Sequence, residues 1–520
     1  MKPTKLFWLA TALAALFGSA TRAQEKLGEV SFPTSCDQKV QAEFDRAVAM
    51  LHSFWFQQGG QAFRKVLERD PSCAIANWGI AAILIGNTFG GNATAQDAQK
   101  AKEAIQRARL TGAKTERERF YIEAIAEYWD RFSERPHSAR MKSLADAFDA
   151  VAKRFPKDDE AQIVYALYLT ATQSPNDKTF ADTLKAARIL EPQFKKHPDH
   201  PGVAHYLIHA YDYPPIADKG LNAAKRYAEI APSAPHALHM PSHIFTRVGA
   251  WEESVATNRR SAAIAKVDDR LHAMDYLAYA EMQLARDRDA RLVVEEAKRV
   301  SGPSTTRAGP YALAAIPARY AVERGAWTEA TQLQTRATRF PFTEAMTYFA
   351  RALGAARSGD ANAADKDVQE LARIVETLKS AKDHYWATEV EVQRLAATAW
   401  TARARGNDHE ALALMRSAAD MEDKSEKSAV TPGRILPARE LLGEMLLEMN
   451  RPAEALKEFE ESEKHDPNRF RGLYGAAKAA ALAGDPSKAR SYFEKLIALT
   501  KNADTERPEI KEARAFLATK

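Results

Sequence analysis

The chain contains little that is typical of a membrane protein, a nucleic-acid-binding protein or a small disulfide-stabilised domain. Only two of its 520 residues are cysteine, too few for a disulfide framework. The formal net charge is +5, from 74 basic and 69 acidic residues, and no basic block is present. We therefore predict no nucleic-acid partner. No long apolar run follows the N-terminal segment, so we also predict no integral membrane span once that segment is removed.

Familiar catalytic motifs are missing as well. The sequence has no phosphate-binding Gly-Lys-Ser/Thr loop, no Gly-x-Ser-x-Gly elbow and no His-Glu-x-x-His. The sequence therefore leaves open whether the protein is an enzyme, and it identifies no catalytic residue.

The N-terminus has the pattern of an export signal. Lys2 and Lys5 precede an apolar run over residues 6–17, and small residues follow up to a cleavage position after Ala23. Residues 1–23 are therefore predicted to be a signal peptide, with retention as an N-terminal anchor as the alternative. Export would place the mature protein in the periplasm or outside the cell.

The rest of the chain has the composition and periodicity of an all-α protein. Ala, Leu, Glu, Lys and Arg dominate, and Gly and Pro fall between helical segments. A repeat of 34 residues, the length of a tetratricopeptide helical hairpin, is clearest near the C-terminus. Its small, aromatic and proline positions are Gly443, Ala455, Phe459 and Pro467, followed one repeat later by Ala477, Ala489 and Phe493. We predict a right-handed α-solenoid of such hairpins, divided into an N-terminal array at 35–300, degenerate repeats at 301–424 and C-terminal repeats at 435–520.

Two pairs of histidines occupy equivalent positions in neighbouring repeats. His205 and His209 are four residues apart, and His239 and His243 repeat this spacing 34 residues later. An i, i+4 spacing places both imidazoles on one face of a helix. Four rings on two adjacent helices could bind one zinc or copper ion, since imidazole nitrogen suits both metals. The alternative is that these histidines only form structural hydrogen bonds.

Three further residues could extend the predicted metal site. His236 lies on the same helical face as the second pair. His272 and Asp275 follow about one repeat later and would begin the next hairpin, as additional ligands or as partners of the ligands. The pairing itself is not repeated there, because Tyr276 occupies the position four residues after His272.

The two cysteines, Cys36 and Cys73, are separated by close to one repeat. Both would lie near the start of successive stacked helices, where a disulfide is geometrically reasonable. The alternative is two free, buried thiols.

Four segments resemble a group of exported bacterial tetratricopeptide-repeat proteins with paired His-x-x-x-His motifs. They are residues 51–56 (LHSFWF), 73–79 (CAIANWG), 205–210 (HYLIHA) and 239–243 (HMPSH). The resemblance covers most of residues 35–300. It implies a helical-repeat fold and export, and it brings no known reaction with it.

Two functions are consistent with these features. A helical-repeat scaffold would bind a protein or peptide partner on its concave face, which is what such arrays do by default. The alternative is a metalloprotein or metalloenzyme built around the histidine cluster, with Tyr121 and Glu123 lining the same groove if the fold brings them close.

Overall fold

A computed structural model of the protein describes residues 25–91, 93–175 and 177–519. Within these ranges the chain forms helices and turns and contains no β-strand, which confirms the predicted all-α repeat fold. The predicted signal peptide, residues 1–23, lies outside the described residues. No helix of the described part is long and apolar enough to cross a membrane.

The N-terminal part of the chain consists of helical hairpins and two short 3₁₀ helices, Gln38–Val40 and Pro214–Gly220. Its α-helices are α1 (Gln41–His52), α2 (Phe56–Arg69), α3 (Ala74–Ile85), α4 (Ala95–Thr111), α5 (Glu116–Trp129), α6 (His137–Arg154), α7 (Asp159–Thr170), α8 (Ala181–Lys196), α9 (Pro201–Tyr211), α10 (Leu221–Ile230), α11 (Pro235–His239), α12 (Pro241–Arg247), α13 (Trp251–Ile264), α14 (Val267–Gln283) and α15 (Asp287–Arg299).

The C-terminal part continues the same pattern. Its helices are α16 (Ala308–Val322), α17 (Trp327–Thr331), α18 (Pro341–Arg357), α19 (Ala361–Ser380), α20 (His384–Ala404), α21 (Asp408–Glu422), α22 (Ala438–Glu448), α23 (Pro452–His465), α24 (Phe470–Leu482), α25 (Pro486–Leu499) and α26 (Pro508–Ala518).

The predicted small and aromatic positions of the repeat form the close crossings between C-terminal helices. A Cβ atom added at Gly443 or Gly475 would lie 2.7 or 2.2 Å from the Phe459 ring. Glycine therefore lets α22 and α24 approach this ring from two sides. The same contact occurs between Gly79 and Phe63 near the N-terminus, where an added Cβ would lie 2.3 Å from the ring.

The buried apolar side chains form several cores along the chain. One large cluster extends from Leu27 to Phe245 and another from Tyr311 to Ala489. A smaller cluster runs from Trp251 to Ile316 and overlaps the start of the second one in sequence. The predicted division at 35–300, 301–424 and 435–520 stays a prediction.

The two cysteines lie next to each other at the start of the array. Cys36 and Cys73 are joined by a disulfide, with their Cα atoms 4.8 Å apart. Cys73 directly precedes α3, so the bond ties the N-terminal lead of the chain to the start of this helix.

Pro241 divides the helix that carries the second histidine pair. Proline has no N–H to donate to a carbonyl four residues earlier. As a result α11 ends at His239 and α12 begins at Pro241, with Met240 between them. The His243 N–H donates to the Met240 carbonyl three residues earlier, at 3.0 Å. The turn between His239 and His243 is therefore not regular α-helix.

The segment that follows α21 packs against the helices that carry the histidines. Residues 423–437 contain no helix. We call these residues the covering segment. The Tyr276 hydroxyl of α14 donates to the Thr431 carbonyl at 3.0 Å, and Arg319 of α16 donates to the Gly433 carbonyl at 2.6 Å. The covering segment thus lies against α14, which carries His272, and against α16.

Candidate metal centre

Six histidines on four helices form two groups of three, which we call the first and the second triad. In each group, one ring nitrogen from every member lies within 4.8 Å of the others. The first triad is His205, His209 and His236, and the second is His239, His243 and His272. Helix α9 supplies two residues of the first triad, and α11 supplies one residue to each triad.

The first triad is centred on His205. Its Nε2 lies 3.1 Å from His209 Nε2 and 3.1 Å from His236 Nε2. Its other nitrogen, Nδ1, lies 2.6 Å from the His52 carbonyl oxygen at the end of α1. A carbonyl only accepts hydrogen bonds, so Nδ1 carries the proton and Nε2 presents a lone pair to the triad.

The second triad has the same construction. His239 Nε2 and His243 Nε2 are 3.1 Å apart. His239 Nδ1 lies 2.7 Å from Asn258 Oδ1, and His243 Nδ1 lies 2.9 Å from Asp212 Oδ2. The Asn258 amide nitrogen donates to the Ser254 carbonyl at 2.8 Å, which leaves Oδ1 as the acceptor. Both histidines therefore donate through Nδ1.

These hydrogen bonds leave two lone pairs directed at each other. With the protons on Nδ1, the Nε2 atoms of His239 and His243 are both acceptors at 3.1 Å. Two buried acceptors at this distance repel unless a cation or a proton lies between them. Outer partners that fix a histidine tautomer and direct the free nitrogen inward are the usual support of metal ligands. The donor set therefore fits a metal ion.

Burial favours the neutral form of all six rings. It lowers the pKa of His205, His209, His236, His239 and His272 well below the ordinary value, and the neighbouring histidines oppose protonation further. Burial also lowers the pKa of His243, although the Asp212 carboxylate opposes the shift. Neutral imidazole is the form that binds a metal.

The two triads are neighbours. The ring centroids of His209 and His243 are 6.1 Å apart, and those of His236 and His239 are 6.2 Å apart. Aromatic rings pack around them: Phe54 stacks on His236 at 5.2 Å, Phe89 stacks on His209 at 4.1 Å, and Tyr276 stacks on His243 at 5.0 Å. This packing holds the imidazoles in place and limits contact with water.

The four histidines of the predicted site are neighbours in the structure, but they belong to two separate groups. The two pairs fall into different groups of three ring nitrogens, and the binding of an ion by His205, His209, His239 and His243 stays a prediction. The i, i+4 spacing places two nitrogens of one helix side by side, and a third ring completes each set. His236 and His272 supply these third rings.

Asp275 is the predicted extra ligand that the structure places elsewhere. Its Oδ1 accepts from Arg319 Nε at 3.2 Å, and it belongs to neither triad. Burial raises the pKa of the Asp275 carboxyl to about 6. Tyr121 and Glu123 are also apart from the histidines: the Tyr121 hydroxyl donates to Asp158 at 3.0 Å, and Glu123 pairs with Arg109.

Sequence reasoning missed the groups that orient the second triad. Asp212 lies directly after α9, where its carboxylate accepts from His243 Nδ1 and from Arg247 Nε at 2.8 Å. Burial alone would raise the pKa of Asp212, but Lys427 and Arg247 hold it well below its usual range. Asn258 on α13 could have been found from its position 19 residues after His239, since the second helix of a hairpin packs against the first.

Another buried group of titratable side chains lies beside the first triad. The two Glu160 carboxylate oxygens accept from His52 Nε2 at 3.0 Å and from His200 Nε2 at 2.8 Å. The remaining nitrogen of His52 lies 2.7 Å from the Tyr206 hydroxyl, and that of His200 accepts from the Val203 N–H at 3.2 Å. Every donor and acceptor is used, so this group is complete as a hydrogen-bond network and needs no metal.

A cleft of about 310 Å³ reaches the first triad at His209. Its wall includes Asp212, Lys427 and the aromatic rings of Phe89 and Tyr385. The cleft gives a small molecule a route to the histidine nitrogens, whereas the rest of the cluster is packed among side chains.

Comparisons with known proteins give no family for the chain. No protein-family profile matches it, and no curated protein sequence does. Among solved structures, a tetratricopeptide repeat protein from Parabacteroides merdae ATCC 43184 is 10% identical, with a TM-score of 0.24, over 77% of this chain and 99% of that chain. Yeast Tom70 is 11% identical, with a TM-score of 0.30, over 92% of this chain and 96% of that chain. These TM-scores carry no argument about function. The chain's own hairpins and histidines define an all-α helical-repeat protein with two buried histidine triads.

Proposed function

We propose that the protein is a metalloprotein that binds two transition-metal ions side by side, one in each histidine triad. The observation that carries the proposal is the pair of facing lone pairs on His239 and His243 Nε2, 3.1 Å apart and buried. A cation between these nitrogens and His272 would remove the repulsion. His205 offers the same kind of directed lone pair to the first triad.

Copper is the ion we favour, with zinc as the alternative. Copper binds nitrogen sites more tightly than other divalent first-row metals do. The six ligands are neutral, and the cations Lys427 and Arg247 are buried next to Asp212. Two singly charged Cu(I) ions add less charge to this environment than two divalent ions would.

Three protein ligands per ion leave a coordination position for another molecule, as in catalytic sites. Two adjacent copper ions would together supply two-electron chemistry. The cleft at His209 would let a small molecule reach them. We therefore propose an enzymatic role. Export is part of the proposal, and it is supported by the disulfide between Cys36 and Cys73, since disulfides persist in oxidising compartments.

Binding of a protein or peptide partner stays a prediction. The histidine-bearing helices are in contact with the covering segment, where Tyr276 donates to Thr431. A partner would therefore bind to another part of the array, or would have to displace these residues.

Elemental analysis after metal loading tests the proposal. The metal-free protein would be loaded with Cu(I) under argon, or with Zn(II) in parallel, and then dialysed. We expect two ions per chain in the wild type, and about one each in His205→Gln and in His239→Gln. The exposed His409→Gln variant is the matched control and should keep two. Less than half an equivalent of either metal in the wild type would contradict the proposal.

A further inference from the structure

Lys427 of the covering segment is a buried cation without a hydrogen-bond partner. Its side chain is 4% exposed, and Nζ makes no hydrogen bond in the described structure. The nearest carboxylate oxygen, Asp212 Oδ1, is 3.6 Å away. Lys427 lines the cleft that reaches His209. Asp212 is shared with Arg247, and the long ion pair gives the Lys427 ammonium none of the hydrogen bonds that a buried cation ordinarily has, so its position needs an explanation.

The carboxylates around the cleft already have cationic partners. Asp212 accepts from Arg247 at 2.8 Å, and Glu426 accepts from Lys178 at 2.9 Å.

Asp383 is the remaining carboxylate of the cleft wall. Its negative charge attracts Arg307 and raises the Arg307 pKa, which burial lowers. Counting Arg247, Lys178, Arg307 and Lys427 against these three carboxylates leaves one positive charge in excess. The cleft therefore suits a ligand with one negative charge.

Much of the rest of the cleft wall is aromatic. Phe89, Tyr213, Tyr385 and Trp386 line the cleft, and the first three are only partly buried. Phe89 also stacks on His209 at 4.1 Å. A volume of about 310 Å³ is at the lower end of the range for ligand pockets, which favours a molecule with a single ring.

We infer that the cleft binds a small aromatic carboxylate, with its anionic group on Lys427 Nζ and its ring among the aromatic side chains. This inference rests on the proposed function only in placing the ligand beside the metal ions. The cleft and Lys427 belong to the protein without metal, so binding can be tested independently of metal loading.

Calorimetric titration of the metal-free, full-length protein with benzoate tests the inference. Benzamide has the same ring without the charge and serves as the ligand control. We expect benzoate to bind at least tenfold more tightly than benzamide, and Lys427→Met to lose at least tenfold in benzoate affinity. Lys424→Met, an exposed lysine of the same segment, should bind as the wild type does. Equal affinity for the two ligands, or unchanged affinity in Lys427→Met, would overturn the inference.

A second measurement uses the wild-type protein and does not depend on the folding of the Lys427 variant. A small acylating reagent would modify lysines, and mass spectrometry would give the rate at Lys427 and at Lys424. Benzoate should slow modification of Lys427 several-fold and leave Lys424 unchanged, whereas benzamide should protect neither. Lack of protection at saturating benzoate would overturn the inference.

The copper-loaded protein distinguishes failure of this inference from failure of the proposed function. If both are right, benzoate should change the electronic spectrum of the copper-loaded protein after its Cu(I) has been oxidised to Cu(II) by air. Metal binding without any benzoate effect would leave the proposed function standing and contradict the inference. Benzoate binding to a protein that takes up no metal would support the inference and contradict the proposed function.

Discussion

Asn258 fixes the position of a single proton in the second triad. Its side-chain oxygen accepts from His239 Nδ1 at 2.7 Å, so His239 Nε2 faces His243 without a proton. Outer partners of this kind typically change metal affinity about 10–100-fold when they are removed. The side chain carries no charge, so its removal leaves no unpaired ion in the protein.

We therefore predict that Asn258→Ala weakens metal binding in the second triad about 10–100-fold and leaves the first triad unchanged. Competition with a chromophoric chelator would measure the two affinities. Asn222→Ala, at an exposed position of α10, is the matched control and should retain both. Equal weakening of both sites, or none, would contradict the assignment of Asn258.

The buried histidines also predict how stability depends on pH. Burial lowers the pKa of His239 and His243 below the ordinary value of 6.5. Below pH 6.5 the unfolded chain therefore binds more protons than the folded protein, and the free energy of unfolding falls as the pH falls. Asp275, with its pKa raised to about 6, acts in the opposite direction, so a comparison of variants is needed.

We predict that the metal-free wild type loses more stability between pH 7 and pH 5 than the double variant His239→Gln/His243→Gln. Denaturant unfolding at several pH values would give both curves. The exposed pair His384→Gln/His409→Gln should keep the wild-type slope. A double variant with the same slope as the wild type would show that these two rings are not held neutral.

At the scale of elements, the contact between α1 and α9 positions the first triad. A Cβ atom added at Gly202 would lie 2.6 Å from His52 Nδ1 and 2.8 Å from His52 Cγ. His52 is the residue whose carbonyl accepts from His205 Nδ1. Only glycine allows α9 to lie this close to the end of α1.

Gly202→Ala should therefore destabilise the protein by about 1–3 kcal/mol through overpacking and weaken metal binding in the first triad. Gly60→Ala in α2 is the control, because its Cβ would meet Ile83 at an ordinary 3.4 Å. Thermal unfolding and metal competition would be measured together. A fully stable Gly202→Ala variant with normal metal affinity would contradict the described packing.

Sequence periodicity was sufficient to predict the helical hairpins and the two pairs of histidines, because both depend on contacts between residues close in sequence. It could not predict how the histidines group. His236 and His239 lie on one short helix but join different triads, because His236 faces His205 of α9 whereas His239 faces His243 of α12. Lys427 could not be found at all, because its position depends on a loop from another part of the chain.

At the scale of the whole molecule, Arg319 of α16 connects α14 to the covering segment, which is more than 100 residues away in sequence. Its guanidinium donates to the Gly433 carbonyl at 2.6 Å, to Thr431 Oγ1 at 2.8 Å and to Asp275 at 3.2 Å. The side chain is fully buried. These bonds hold the covering segment against the histidine-bearing helices, and with it the wall of the cleft.

We predict that Arg319→Met loosens the covering segment, so that trypsin can bind its backbone and cleave after Lys424 and Lys427. Mass spectrometry of brief digests should show cleavage there several-fold faster than in the wild type. Arg299→Met, at an exposed position of α15, should be cleaved as slowly as the wild type. Unchanged cleavage in a folded Arg319→Met protein would show that other contacts hold the segment.

The central claim is that two metal ions lie side by side, each with three imidazoles. Anomalous X-ray diffraction at the copper edge, on crystals of the copper-loaded protein, tests it most directly. We expect two separate peaks, one about 2.0 Å from the inward nitrogens of His205, His209 and His236, and one equally close to those of His239, His243 and His272. A single peak shared by His205, His209, His239 and His243, or no peak among these rings, would contradict the claim.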